Sequence, residues 1–294
     1  MAREVWVQMD LRGEPVPVGR LWMRARGRRE SASFGYASEW LEHPLRFALE
    51  PALPLGPGAF HSRGGLFGSI GDSAPDRWGR VLLRRGEVRL ARREGRTPRT
   101  LFDSDFLLRV DDEVRIGAIR FSTAPGGPFL AEPPSEGAWA RRVPPLLEIS
   151  RLLGAADRVK CSEEGDEDLR LLIGPGSSLG GARPKAAVRD RDGALAIAKF
   201  PHREDDRDIV LWEGVALALA ARAGIRVPDW RIESVAGRRV LLVRRIGWWP
   251  RPSTTVCLWA ARVGSRTRWR MRWRAGATRR ECDRTESAFA GGGG

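Results

Sequence analysis

Only three of the 51 basic residues in this 294-residue chain are lysines: Lys160, Lys185 and Lys199. Two of them fall in a stretch whose residue types suit phosphate chemistry. Ser177-Ser178-Leu179-Gly180-Gly181-Ala182-Arg183-Pro184-Lys185 is a small-residue loop. Backbone N–H groups of a loop without bulky side chains can approach phosphate oxygens closely. Lys199 closes a run, Ala194–Phe200, that reads as a strand, and Glu213 lies fourteen positions on, in an apolar helical segment. A lysine ammonium is a compact partner for phosphate, and a carboxylate on the next helix can hold it in place. Each part also has a plain reading. A Gly-Gly loop is usually a turn, and this one lacks both the Walker spacing and Gly-x-Gly-x-x-Gly. Lys199 alone would be a strand-end lysine and Glu213 a polar break in a helix. Their order along the chain is what points to a site.

The elements that must position these residues can be read around them. Ala186–Arg189 and Ala194–Phe200 are expected strands joined at Arg191-Asp192-Gly193, where Asp-Gly marks a hairpin. Asp205, Asp206 or Asp208 can cap the next helix, Ile209–Ala223, with Gly224 as its stop. That helix is apolar almost all round except Glu213 and Arg222, which predicts burial. Strands over Asp229–Ser234 and Arg238–Val243 follow, turning at Gly237. Upstream, Val5, Val7 and Met9 alternate with polar neighbours, and with Val18–Met23 and Ser33–Tyr36 they predict an antiparallel meander. Ser38–Leu41 reads as a helical turn, and Pro51–Gly58 as a loop. Asp72 or Ser73 is expected to cap a helix through Leu83, with Pro75 in its first turn. Arg84–Arg99 reads as a solvated helix face and loop, the nucleic-acid alternative being weaker for want of interleaved aromatics. A short helix near Phe102–Leu108 and a strand at Ile116–Phe121 come next. Pro144–Leu153 is expected to be helical and Ser162–Asp168 an acidic surface segment.

At 42% hydrophobic and 30% charged, the chain can form a sizeable core and is not wholly disordered. No apolar run approaches a membrane span, the N-terminus lacks a signal-peptide core, and three scattered cysteines form neither a metal pair nor a disulfide framework, so a cytoplasmic protein is expected. Half of the +14 net charge lies beyond Ile246, where ten Arg face three acids.

Loop, strand, strand with Lys199, helix with Glu213, strand, strand is the order of a protein-kinase-type nucleotide-binding N-lobe. Ser178-Leu179-Gly180-Gly181-Ala182-Arg183-Pro184-Lys185, Ala198-Lys199-Phe200-Pro201, Glu213 and Ala223-Gly224-Ile225-Arg226-Val227-Pro228 resemble the HipA family, the serine/threonine kinase toxins of bacterial type II toxin–antitoxin systems. Phe34–Leu41, Leu53-Pro54-Leu55, Phe67 through Asp76-Arg77-Trp78-Gly79, and Gly117–Phe121 are similar to that family's N-terminal subdomain. The resemblance covers about 1–245. It implies an α+β fold: an N-terminal subdomain over 1–123 (a small antiparallel sheet plus helices), a linker over 124–142, and a kinase-like N-lobe over 143–246 with one buried helix. It implies that Gly180, Gly181, Ala182, Arg183, Pro184 and Lys185 lie over the nucleotide phosphates. Lys199 would contact phosphate, held by Glu213, and Arg244, Arg245 and Ile246 would form the adenine hinge. Ser178 matches the family's autophosphorylated loop serine. ATP and Mg²⁺, a protein substrate and an antitoxin of the HipB type are the implied cofactors and partners, with DNA reached indirectly or through the basic tail. Arg183-Pro184 departs from the family's Gln-Glu-like pair.

A larger departure follows Val243, where the family continues with Arg-Phe-Asp-Arg and a helical C-lobe. Here no His occurs after His202, and the only Asp after Val243 is Asp283. The catalytic base and the metal-binding carboxylates have no candidates, so this chain is expected to be inactive and to bind nucleotide weakly or not at all. The tail, 247–294, holds five of the twelve Trp without amphipathic period and is expected to be unstructured. Excess Arg, Trp and Gly is what GC-rich DNA yields out of frame, which places a frame change near Arg245–Gly247. A noncatalytic remnant that binds an antitoxin or nucleic acid is the alternative reading.

Overall fold

The computed structural model describes residues 2–11, 13–130, 143–176, 179–202 and 205–245, with two short strands at 259–261 and 270–272. The fold is α+β, with two antiparallel sheets inside one compact unit, Met1–Gly247. No helix among the described residues is long and apolar enough to cross a membrane.

The front half builds the first sheet. β1 (Ala2–Leu11), β2 (Glu14–Arg26) and β3 (Arg29–Tyr36) form the expected meander. After α1 (Ser38–Glu42), β4 (Phe60–His61) adds to β3. α2 (Gly68–Gly71), α3 (Arg77–Arg93) and α4 (Asp103–Leu108) precede β5 (Ile119–Ser122), which pairs with β1 to give the order β4-β3-β2-β1-β5. Alternation places Val5, Val7, Leu21, Phe34 and Phe121 in one apolar core. The start of α3 differs from expectation. Asp72 closes α2, its N–H bonding the Gly68 carbonyl, so Asp76 becomes the N-cap of α3 and Pro75 lies before it.

The second half builds the other sheet. A 3₁₀ turn, Leu146–Glu148, leads into α5 (Ile149–Cys161), and α6 (Asp166–Gly176) follows. α6 begins inside the expected surface segment. Asp166, Glu167 and Asp168 occupy its first turn, where the helix dipole favours negative charge, and Leu169 and Leu172 are buried. β6 (Lys185–Arg189), β7 (Leu195–Lys199), α7 (Ile209–Arg222), β8 (Trp230–Val235) and β9 (Arg238–Arg244) follow in the order read from the sequence. The sheet order is β6-β7-β9-β8. The turn between β8 and β9 has Ala236 and Gly237 both at positive φ. Leu152, Val159, Leu169, Leu172, Ala198, Val240 and Leu242 fill the second core, joined by Trp78 and Leu82 of α3. A helix from the front half is therefore part of the second core.

Two expectations are corrected here. α7 is not buried: only Val210 and Gly214 are, while Trp212 is 61% and Leu219 57% exposed. A single strip of the helix meets β8 and β9, and its remaining apolar positions face outward. Arg84–Arg99 is not simply a solvated face. Arg85 donates to Glu164 Oε2 at 2.5 Å, Arg89 to the Glu164 carbonyl at 2.6 Å, and Arg96 to buried Glu87 at 2.6 Å. Those charges fasten α3 to the loop before α6 and to its own C-terminal turn.

Residues Trp248–Gly294 form a separate unit in which Trp259–Ala261 pairs with Arg270–Arg272. The rest of the tail, expected to be unstructured, lies outside the described residues.

Candidate nucleotide-phosphate site

The β6–β7 hairpin places Lys185 directly opposite Lys199 as Cα partners. One residue pair of the ladder thus carries two of the three lysines. α7 brings the compensating acid. Its N-terminus is fixed by Asp208, whose side chain accepts the Leu211 N–H at 2.9 Å. Glu213 then lies one turn in and forms an ion pair with Lys199 Nζ. Gly214 lets the helix lie close to the sheet: a Cβ there would come within 2.9 Å of Ile232 Cδ1 and 3.2 Å of the Trp230 ring.

Lys185 turns to the loop, and its ammonium donates to the Gly180 carbonyl. Burial, then the neighbouring Lys199 charge, push its pKa below the ordinary lysine value, against the opposing pull of Glu213 and Asp76. Gly181 has φ +89°, and a side chain there would meet Lys185 Nζ at 2.7 Å, so this position requires glycine. Ala182 is exposed. Arg183 pairs with Asp205, which also accepts the His202 N–H at 2.9 Å. The Arg183 hydrogen bond holds the Asp205 carboxyl below the usual carboxylate range. Pro184 is buried, and its carbonyl accepts the Phe200 N–H at 3.1 Å.

Two residues of α3, unassigned by sequence reasoning, complete the loop's surroundings. The Gly181 N–H donates to Asp76 Oδ2 at 2.6 Å, and the Gly181 carbonyl accepts the Trp78 N–H at 3.1 Å. The Trp78 indole donates to the Lys185 carbonyl at 2.9 Å. Asp76 and Gly181 are 105 positions apart, so neither period nor spacing could have linked them. Their one sequence trace is the run Asp76-Arg77-Trp78-Gly79.

Lys185, Lys199, Glu213 and the Gly180–Pro184 loop are thus brought together at one end of the hairpin. The hinge residues lie elsewhere. Arg244 ends β9, its N–H bonding the Asp229 carbonyl at 2.8 Å and its guanidinium bonding Asp192 at 2.7 Å. The Arg245 N–H donates to the Leu195 carbonyl at 2.8 Å, and its side chain donates to the Arg115 carbonyl at 2.7 Å. Burial lowers the Arg245 pKa. Both of these amides are used inside the protein, and an adenine contact would fall to later backbone. Ile246 and Ser178 lie outside the described residues.

Among the described residues no group of three or more His, Cys, Asp or Glu side chains is placed to hold a metal ion. The donor set suits an anion: two ammonium groups and a loop of small residues. No curated protein matches the chain. Residues 177–247, which carry the loop, both of these lysines and Glu213, match the family model of the HipA-like C-terminal domain.

Proposed function

We propose that the Gly180–Lys185 loop, Lys199 and Glu213 form the nucleotide-phosphate site of a HipA-type serine/threonine kinase, a family that transfers the ATP γ-phosphoryl group to a protein hydroxyl. The Lys199–Glu213 ion pair across β7 and α7 carries this reading. It is the arrangement in which a strand lysine is held for phosphate by a helix carboxylate. The match to the HipA-like C-terminal domain over the same residues supports it. In this reading Lys199 binds phosphate oxygens, Glu213 orients Lys199, Lys185 adds a second positive charge, and the loop packs over the polyphosphate. An antitoxin of the HipB type is the partner that goes with it.

We further propose that the 294-residue chain binds nucleotide weakly and transfers no phosphoryl group. Between Val243 and Gly294 there is no His, and the acids are Glu281, Asp283 and Glu286, none of them in a Phe-Asp-Arg turn. The family match and the first compact unit both stop at residue 247, where the composition turns to Arg, Trp and Gly. That coincidence supports a change of reading frame there.

Titration calorimetry with ADP and ATP on the full chain tests the binding. Weak heats that vanish in Lys199→Ala are expected, and equal binding by that variant overturns the site. Incubation with γ-labelled ATP and Mg²⁺ tests the inactivity. Label incorporated at Ser178 overturns it.

A further inference from the structure

Four donors that could meet a phosphate at this site have a partner from the chain itself. Lys199 is paired with Glu213, Lys185 with the Gly180 carbonyl, Arg183 with Asp205, and the Gly181 amide with Asp76. The last contact differs in kind, because a carboxylate occupies a loop amide. A hydrogen bond from an N–H to an ionised carboxylate is of the same charge-assisted type that the amide would make with phosphate. We propose that Asp76 is a built-in competitor of the nucleotide's phosphate: it holds the loop closed onto α3, and an incoming anion must displace it.

Three observations converge on Asp76. Its Oδ2 lies 2.6 Å from the Gly181 nitrogen. A Cβ on Gly180 would stand 3.2 Å from the same oxygen, tighter than ordinary packing, so glycine there eases the loop's approach to Asp76. The Trp78 N–H binds the Gly181 carbonyl, so the first residues of α3 hold both polar groups of Gly181. The Asp76 carboxylate meanwhile accepts nothing from its own helix: as N-cap of α3 it makes no side-chain cap bond. A residue in the position that usually caps a helix is turned to the loop instead. With two ammonium groups and two carboxylates, Asp76 and Glu213, the closed arrangement is near electrical balance, and a nucleotide phosphate would enter against the Asp76 charge.

The proposal rests on the nucleotide reading above, and its test separates the two. Full-length wild-type chain, Asp76→Asn, Asp76→Ala and Lys199→Ala are titrated with ADP and with tripolyphosphate at low and at high salt. Asparagine keeps an oxygen for the Gly181 amide and removes the charge. Since α3 takes no cap bond from Asp76, its own hydrogen bonds are left intact, and circular dichroism verifies this for each variant. Asp76→Asn is expected to bind both anions about threefold to tenfold more tightly at low salt, with the gain shrinking at high salt as screening grows. Asp76→Ala is expected to show the same gain, and faster hydrogen exchange at Gly181. Unchanged or weaker binding in both Asp76 variants, with loss in Lys199→Ala, overturns the competitor role and leaves the site standing. Absence of binding by every chain overturns both.

Discussion

Lys185 and Lys199 face one another across the β6–β7 ladder as directly opposed residues. Like charges so placed destabilise a sheet by about 0.2–1 kcal/mol, and burial adds to the penalty on Lys185. The chain offsets this locally, with Glu213 on Lys199 and the Gly180 carbonyl on Lys185. The proposed anion site is a reason for two lysines to stand opposite one another here. Lys185→Met should therefore stabilise the anion-free protein while weakening polyphosphate binding. A rise in melting temperature of about 2 °C at pH 7 is expected. Because the folded pKa of Lys185 lies below its unfolded value, the penalty is fully present below the folded pKa and is relieved as pH rises toward about 10.4. The gap between variant and wild type should then narrow with pH. A melting temperature lower than wild type at every pH would show that Lys185 is stabilising as it stands.

Lys199→Ala and Glu213→Gln should not behave alike. Removing the lysine removes the charge proposed to meet phosphate, and a loss of about tenfold in ADP affinity, near 1.4 kcal/mol, is expected. Removing the acid leaves Lys199 charged but free to move, so the loss should be smaller. Calorimetry on both variants checks the order. Equal losses would mean that Glu213 contributes more than orientation.

Gly214 controls the approach of α7 to the sheet. A valine there would drive its methyls into Ile232 and the Trp230 ring, already within 3.2 Å of an added Cβ. Overpacking of this kind costs about 1–3 kcal/mol, and it would lift Glu213 from Lys199. Gly214→Val should lower the denaturant midpoint by the full overpacking cost and weaken anion binding together, whereas Glu213→Gln should weaken binding with a smaller effect on the midpoint. A stable Gly214→Val chain with wild-type ADP affinity would show that helix placement is not set at this contact.

The parts legible in sequence were those with local signals. The period-2 runs around Val7 and Leu21 and the Asp192-Gly193 turn marked the strands, and the order of the two lysines and Glu213 marked residues that the fold brings together. α6 was missed because Asp166–Asp168 reads as solvated acid when the dipole of the helix it opens is not considered, and the short apolar run Leu169–Ile173 lies before Gly174-Pro175-Gly176. Burial of α7 was the wrong expectation because an apolar helix shows what could be covered and not what covers it. Asp76 was invisible because its contact with Gly181 spans 105 positions and joins the two halves of the chain.

Acid should unfold the second core through a few paired carboxylates. The Arg231 guanidinium binds Asp190 in fork geometry at 2.6 and 2.7 Å and holds its carboxyl below the usual range. Arg158 does the same for Asp168, at 2.8 and 2.6 Å. A carboxylate with a lowered folded pKa contributes stability that is complete above its unfolded value, near 3.9, and is lost as pH falls through the folded one. Denaturant midpoints of the wild type should fall steeply below about pH 4. Asp190→Asn should cost about 1 kcal/mol at pH 7, allowing for solvent around the half-exposed Arg231, and should flatten that decline. An unchanged acid limb in the variant would show that the pair forms equally in the unfolded chain.

Up to Val243 the chain alternates and turns as a sheet must, and β9 is paired on both sides. Within a few residues the composition changes to ten Arg, five Trp and no Lys, and both the family match and the first compact unit end at 247. A selected protein segment would show an amphipathic period or a charge pattern of some use, and Trp248-Trp249 read one base along gives Gly-Gly. Sequencing roughly 600 bases beyond the Val243 codon, the length of an ordinary domain, should reveal in another frame a Phe-Asp-Arg turn followed by a helical segment bearing His and Asp. Restoring that frame should yield a chain that binds nucleotide more tightly than the 294-residue form. A gene with no such frame would sink the frame change and make the Arg- and Trp-rich segment a part of the protein to be tested for partners of its own.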